Sequence, residues 1–160
     1  MDRIDRILAH PLFLEGLEKN GKAEANRPFC HHNVSHFLDV ARIGVILSFE
    51  EGTEIDRELI YGAALLHDIG KHRQYEQGTA HERASAAVAP EILKECGFNE
   101  TETSVIIDAI LMHRDPRTAS EPGLKGILYR ADKMSRPCFA CDAKKTCDWK
   151  EGKKNLKIRY

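Results

Sequence analysis

Apolar residues recur along most of this chain at intervals of three and four, the repeat of a helix that buries one face. The first such stretch, 4–19, carries Ile7, Leu8, Phe13, Leu14 and Leu17 and stops at Asn20-Gly21; a polar link leads on to Pro28. Over 35–49, His36, Val40, Ile43 and Leu47 form one stripe with Phe37, Ala41 and Val45 beside it, until Glu51-Gly52 breaks the pattern. Asp56 offers a cap for a third helix bearing Leu59, Ile60, Ala63 and Leu66, and Gly70 offers its end. Residues 71–79 read as polar loop. A fourth helix, 81–96, has to kink or restart at Pro90, which lacks a backbone N–H, and Gly97 ends it. Over 100–113, Val105, Ile106, Ala109, Ile110 and His113 share a face closed by Asp115-Pro116. Over 124–134, Leu124, Leu128 and Asp132 stand one above another. No strand alternation lasts more than a few residues and no segment repeats. The pattern predicts an all-α fold, an orthogonal helical bundle.

Composition narrows this picture only slightly. A chain of 160 residues with 42% hydrophobic and 31% charged content matches one ordinary globular domain with a genuine core. A net charge of −1 gives no global attraction to nucleic acid or anionic membranes. No run approaches the roughly 20 apolar residues that cross a bilayer, and the charged start Met1-Asp2-Arg3 is unlike a signal peptide. Five cysteines, an odd number with three clustered, argue against a disulfide framework and for a reducing cytoplasm. Beyond Pro137 aliphatic residues thin out while Cys and Lys accumulate. The expected organisation is therefore a helical domain over 1–136 with a Cys- and Lys-rich appendix, 137–160, packed on it.

Chemistry concentrates at His67-Asp68, two polar groups placed directly after the apolar Leu65-Leu66. Burying either is costly unless something compensates it, and a metal ion compensates both. His36 shares its stripe with Val40 and Ile43, His113 follows Ile110 by three, and Asp132 follows Leu128 by four. Taken singly, each is a satisfied core residue. Together they form a ligand set of imidazole and carboxylate, which suits iron, manganese or zinc better than calcium.

Three segments carry a family resemblance: His36-Phe37-Leu38-Asp39-Val40-Ala41, His67-Asp68-Ile69-Gly70-Lys71 and Tyr129-Arg130-Ala131-Asp132-Lys133. In this order and spacing they resemble the HD superfamily of metal-dependent phosphohydrolases over about residues 28–136. Two further histidines, His81 and His113, stand where HD proteins with two metals carry extra ligands. That arrangement is similar to the bacterial HD enzymes that cleave diadenosine tetraphosphate symmetrically with a dinuclear iron site. Arg114-Asp115-Pro116 departs from the HD-GYP cyclic-di-GMP phosphodiesterases. The resemblance implies that His36, His67, Asp68 and Asp132 hold one metal and that His81 and His113 hold a second, with Asp68 bridging. Two such metals, about 3.5–4 Å apart, make a bound hydroxide nucleophilic and neutralise phosphoryl charge. Asp68 and Lys71 are then the expected catalytic groups. His32, Arg73, Arg114 and Lys133 are candidate substrate contacts, with His31 as an alternative to His32 and His72 read as exposed.

The cysteines make a separate candidate. Cys138, Cys141 and Cys147 give C-x2-C-x5-C, spacing that can wrap one zinc or one iron–sulfur cluster. The run Pro137 to Trp149 resembles the end of the iron–sulfur loop in the endonuclease-III group of DNA glycosylases. Ala131 stands where that loop has its remaining Cys, which leaves Cys30 to complete the set from elsewhere. Cys96 reads as a buried helix-end thiol.

The expected function is hydrolysis of a phosphate ester or anhydride of a nucleotide-like small molecule, using two Fe (or Mn or Zn). Nucleic acid and membrane are not expected partners, and self-association is left open. The rivals are a one-metal phosphomonoesterase acting on nucleoside monophosphates, a non-catalytic metal or redox sensor, and a nucleic-acid-binding module using the basic tail.

Overall fold

The computed structural model describes residues 1–160 as eight α-helices and no strand. They are α1 (Asp2–Ala9), α2 (Pro11–Ala23), α3 (Val34–Glu50), α4 (Arg57–Leu66), α5 (Lys71–Gln77), α6 (His81–Glu95), α7 (Glu100–Met112) and α8 (Leu124–Met134). α3 packs against α4 and α8, α7 lies against α4, α6 and α8, and α2 rests on α5. No helix is long and apolar enough to cross a membrane.

The stripes read from the sequence become the core. Phe13, Phe37, Leu65, Leu66, Ile106, Ile110 and Ile127 are fully buried in one cluster. Leu14 and Val105 are exceptions, half-exposed on the outer edges of their helices. Side-chain caps fix where the helices start. Asn33 accepts the His36 N–H (3.0 Å), Asp56 accepts that of Glu58 (2.7 Å), and Asn99 with Glu102 closes a reciprocal capping box at α7.

Four boundaries differ from the expected ones, each for a local reason. The single helix expected over 4–19 is two. His10 is extended and Pro11 opens α2, with His10 Nδ1 accepting the Leu12 N–H (3.2 Å). α2 then runs through Asn20-Gly21 to Ala23, because Asn20 is completely buried and hydrogen-bonded rather than marking a turn. The third helix ends at Leu66, not Gly70, and 67–70 form a turn. The expected loop at 71–79 holds α5. α6, in contrast, passes Pro90 as one element.

The 67–70 turn is clamped from both sides. A Cβ at Gly16 of α2 would sit 2.7 Å from the Ile69 side chain and 2.9 Å from its carbonyl oxygen. A Cβ at Gly70 would meet the Ala84 carbonyl carbon and the Ser85 nitrogen of α6, each at 2.7 Å. Ser85 Oγ also accepts the Gly70 N–H (3.0 Å). Gly70→Ala is therefore expected to cost about 1–3 kcal/mol by forcing backbone apart. Gly21→Ala, inside α2 with nothing near its Cβ, is expected to gain about 0.5–1 kcal/mol. Urea unfolding of both variants checks the contrast, which vanishes if the turn is loosely held.

Candidate metal centre

The clamped turn presents His67 and Asp68 to the ends of four other helices. His67 follows the last residue of α4, and its Nδ1–H donates to the Ala64 carbonyl (2.7 Å). His113 follows α7 in the same way, with Nδ1–H donating to Ile110 (2.6 Å). His36 comes from the first turn of α3. Its Nδ1–H donates to Ser135 Oγ (3.2 Å), whose own proton goes to the Asp132 carbonyl (2.8 Å). His81 opens α6 with Nδ1–H donating to Gln74 Oε1 (2.5 Å), an acceptor shared with Lys71 Nζ (3.2 Å). In all four rings Nδ1 faces a hydrogen-bonding oxygen, which orients Nε2 toward the centre. This is the usual device for preparing a ligating imidazole.

Those nitrogens converge on Asp68. Its Oδ2 lies 3.2 Å from His67 Nε2 and 4.0 Å from His36 Nε2. Its Oδ1 lies 3.1 Å from His81 Nε2 and 3.7 Å from His113 Nε2. Asp132 Oδ1, from α8, is 3.5 Å from His36 and 3.7 Å from His67. The ligand atoms therefore form two groups, His36, His67, Asp68 and Asp132, and then Asp68, His81 and His113; within each group they lie within 4.8 Å of one another. Every member is buried.

The fit to a metal rests on atoms that have no other partner. His36 Nε2, His67 Nε2 and Asp68 Oδ1 are buried without a hydrogen bond. His81 Nε2 and His113 Nε2 face each other at 3.2 Å with both protons held on the opposite nitrogens. Buried lone pairs facing each other repel, and a buried carboxylate without a partner costs several kcal/mol. A cation in each group resolves both. Burial holds His36 and His113 down at about 4 and His81 at about 3, keeping them neutral as ligands must be. Burial also opposes charging His67, but Asp68 and Asp132 outweigh it and raise it to about 9. That pull marks the place where positive charge is wanted. Asp68 stays well below the carboxylate range against its own burial, because of His67 and its neighbours. Asp132 does the same through Lys133, His36 and His67.

A supporting layer, absent from the sequence reading, holds this centre. Asn20 donates Nδ2–H to the Asp68 carbonyl (2.9 Å) and accepts the His72 N–H (2.8 Å), tying α2 to both ends of the turn. His72 is accordingly buried rather than exposed. Glu24, almost wholly buried, accepts His32 N–H (2.7 Å), Tyr75 O–H (2.8 Å) and His32 Nδ1–H. That leaves His32 Nε2 facing Asp68 Oδ2 at 3.5 Å. No sequence pattern links Glu24 to a histidine eight residues on, since neither lies in a regular stripe.

The centre forms the floor of a cavity of about 780 Å³. His32, Lys71, Arg114 and Lys133 line it, as do Cys30, Cys138 and Cys147. Lys133 Nζ pairs with Asp132 Oδ2 (2.5 Å). Arg73 is not part of that lining and lies within electrostatic reach of Glu15 on α2. His31 is exposed, with Nε2 on the Arg27 carbonyl (3.0 Å). Cys141 does not line the cavity, and Cys96 is the buried helix-end thiol expected.

With this geometry in view, comparison with known proteins is decisive. The family model described as "HD domain" matches residues 33–136. The chain belongs to the HD family. A Clostridium beijerinckii protein described as uncharacterized is 44% identical over the full length of both chains. Ribonuclease Y of Acetivibrio thermocellus is 25% identical over 86% of this chain, and this HD protein spans only 28% of that relative. The crystal structure of a predicted HD superfamily hydrolase from an uncultured Thermotogales bacterium superposes with a TM-score of 0.62 at 25% identity, covering 89% of this chain and 81% of that one. The matched residues contain His36, His67, Asp68 and Asp132 together with His81 and His113.

Glu24 gives a pH signature. Burial would raise its carboxyl, but the bonds from His32 and Tyr75 bring it down from 4.5 to about 2. Its contribution, about 3 kcal/mol by linkage, is present above the unfolded value and lost as pH falls through the folded one. The stability difference between wild type and Glu24→Gln is therefore expected to close between about 4.5 and about 2. A difference that stays constant from neutral pH to the acid end of that window in denaturant titrations refutes the ionised pair.

Proposed function

We propose that this HD protein is a phosphohydrolase that uses two divalent transition metals, iron being the first expectation, to cleave a phosphate ester or anhydride of a nucleotide-like substrate. The observation that carries this reading is the division of the Asp68 carboxylate, one oxygen toward His36 and His67 and the other toward His81 and His113. His36, His67, Asp68 and Asp132 would hold one metal, and Asp68, His81 and His113 the second. Such a pair, when bound, activates water and neutralises phosphoryl charge.

The remaining groups bind and orient. Lys71, half-buried beside His81 and pushed down by burial, offers its ammonium to an equatorial phosphoryl oxygen. Arg114 and Lys133 stand on the same cavity wall to take further phosphates. His32 Nε2, anchored from behind by Glu24, is the nitrogen placed to hold or release a proton beside Asp68. Further from the floor, Lys150, Lys153, Lys154 and Arg159 extend the positive wall, which favours a substrate with several phosphates. Dinucleoside polyphosphates of the diadenosine tetraphosphate type are the most specific form of this reading.

A second reading follows from the ribonuclease Y relatives together with that basic wall: cleavage of an RNA phosphodiester in the same centre. A panel of nucleoside mono-, di- and polyphosphates, dinucleoside polyphosphates and a short single-stranded RNA, assayed with Mn²⁺ and with Fe²⁺, separates the two. His67→Ala and Asp68→Ala are expected to lose bound metal and to lower hydrolysis more than about 100-fold. Arg73→Ala is expected to leave hydrolysis unchanged. Wild-type metal content and turnover in both ligand variants would end the proposal.

A further inference from the structure

Segment 137–160 is held in a defined shape with almost no core of its own. It forms short 3₁₀ turns at Cys138–Ala140, Asp142–Lys145 and Glu151–Lys153, and Cys138 is its one buried residue. Phe139, Leu156, Ile158 and Tyr160 are all exposed. Its ties to the helices are polar: Asn155 Nδ2–H to the Lys133 and Arg136 carbonyls (2.7 and 3.0 Å) and Tyr160 O–H to Glu50 (2.9 Å). Short segments that bury so little apolar surface depend on a covalent or metal staple. All five cysteines are free thiols, so no disulfide supplies one.

The turns arrange the thiols instead. Cys141 N–H donates to the Cys138 carbonyl (3.3 Å) and Cys147 N–H to that of Ala143 (2.9 Å), folding C-x2-C-x5-C back on itself. Cys30, from the loop before α3, lines the same cavity wall as Cys138 and Cys147. Its sulfur lies within electrostatic reach of all three others and of the Arg136 guanidinium. Three thiols from two distant stretches of chain thus line one cavity with Arg136, and Cys141 follows Cys138 by three residues. Thiolates select soft metals and clusters.

We propose that Cys30, Cys138, Cys141 and Cys147 ligate an iron–sulfur cluster that pins segment 137–160 against the helical domain. Four cysteines are a full ligand set for such a cluster. The alternative, one zinc with Zn–S near 2.3 Å, draws four sulfurs to within roughly 3.8 Å of one another. Here the ligand groups that close to within 4.8 Å are the two His/Asp sets, and the sulfurs are spread more widely. A cluster, whose inorganic core holds its thiolates apart, asks for less closure than a single zinc does. Lys150, Lys153 and Lys154 on the same segment add positive charge around it.

The test is independent of hydrolysis. The full chain is purified anaerobically, reconstituted with ferrous iron and sulfide, and analysed for iron, zinc, acid-labile sulfide and visible absorbance. Wild type is expected to hold about two to four sulfides per chain. Cys30→Ser, Cys138→Ser, Cys141→Ser and Cys147→Ser are expected to lose them, and Cys96→Ser to keep them. Asp68→Ala removes iron at the His/Asp centre while retaining sulfide, so failure of the proposed activity and failure of the cluster give different results. Stripping the cluster from wild type with chelator and oxidant should open 137–160 to limited proteolysis while the helices stay folded. Wild type without sulfide after reconstitution, zinc alone at one per chain, or full sulfide in any of the four serine variants at Cys30, Cys138, Cys141 and Cys147 overturns the proposal.

Discussion

The architecture depends on keeping one carboxylate, that of Asp68, ionised inside the protein amid a ring of imidazoles and beside a second carboxylate, Asp132. Five rings, His32, His36, His67, His81 and His113, stand within 4.0 Å of its oxygens. A buried charge of this kind is tolerated only if its surroundings are fixed and a counter-charge can be held. The fold meets the first condition with backbone. α4 stops where it does so that His67 and Asp68 sit in a turn, Gly16 and Gly70 let α2 and α6 close on that turn, and Asn20 holds the Asp68 carbonyl. A metal would meet the second condition, since the Nδ1 contacts aim the Nε2 atoms at the centre. Stability and chemistry therefore draw on the same contacts.

How much of this is visible in the sequence depends on whether a residue announces itself by period or by pairing. The stripes through Val40, Ile43 and Leu47, or Ile106, Ala109 and Ile110, locate helices and core because burial imposes the helical repeat directly. The ligands are visible for the same reason: His36, His113 and Asp132 are polar residues standing in apolar positions. Glu24 and Asn20 are not, since a glutamate in a polar link and an asparagine before glycine look like solvent-facing residues. Their roles come from partners 8, 48 and 52 residues away. Arg73 stands outside the cavity lining, on α5, a helix that the polar run 71–79 concealed. Tertiary contact, rather than propensity, makes that run helical.

Net charge and local charge are different quantities. A total of −1 says nothing of partners because it averages over the whole surface. The folded chain separates charge within one cavity, with Asp68 and Asp132 at the floor and Lys71, Arg114 and Lys133 above them. Under the proposed reading, a polyanion would meet a positive entrance and a floor whose negative groups a metal would take up. Field focusing in a cleft depends on that local arrangement and not on the sum.

The family match ends at residue 136, yet the cavity does not. Its wall is completed by Cys138, Cys147 and the lysines of the C-terminal segment, and by Arg27 and Cys30 from the stretch before the matched region. The family match thus covers the His/Asp floor. The parts that a substrate's distal groups would touch come from outside it. Since fold does not determine substrate, the stretches that this chain adds to the shared domain are where discrimination among the proposed phosphorylated ligands would arise. The four thiols lie at the join between those added stretches. A centre that fixed their geometry would set the shape of the cavity wall without altering a single ligand at its floor.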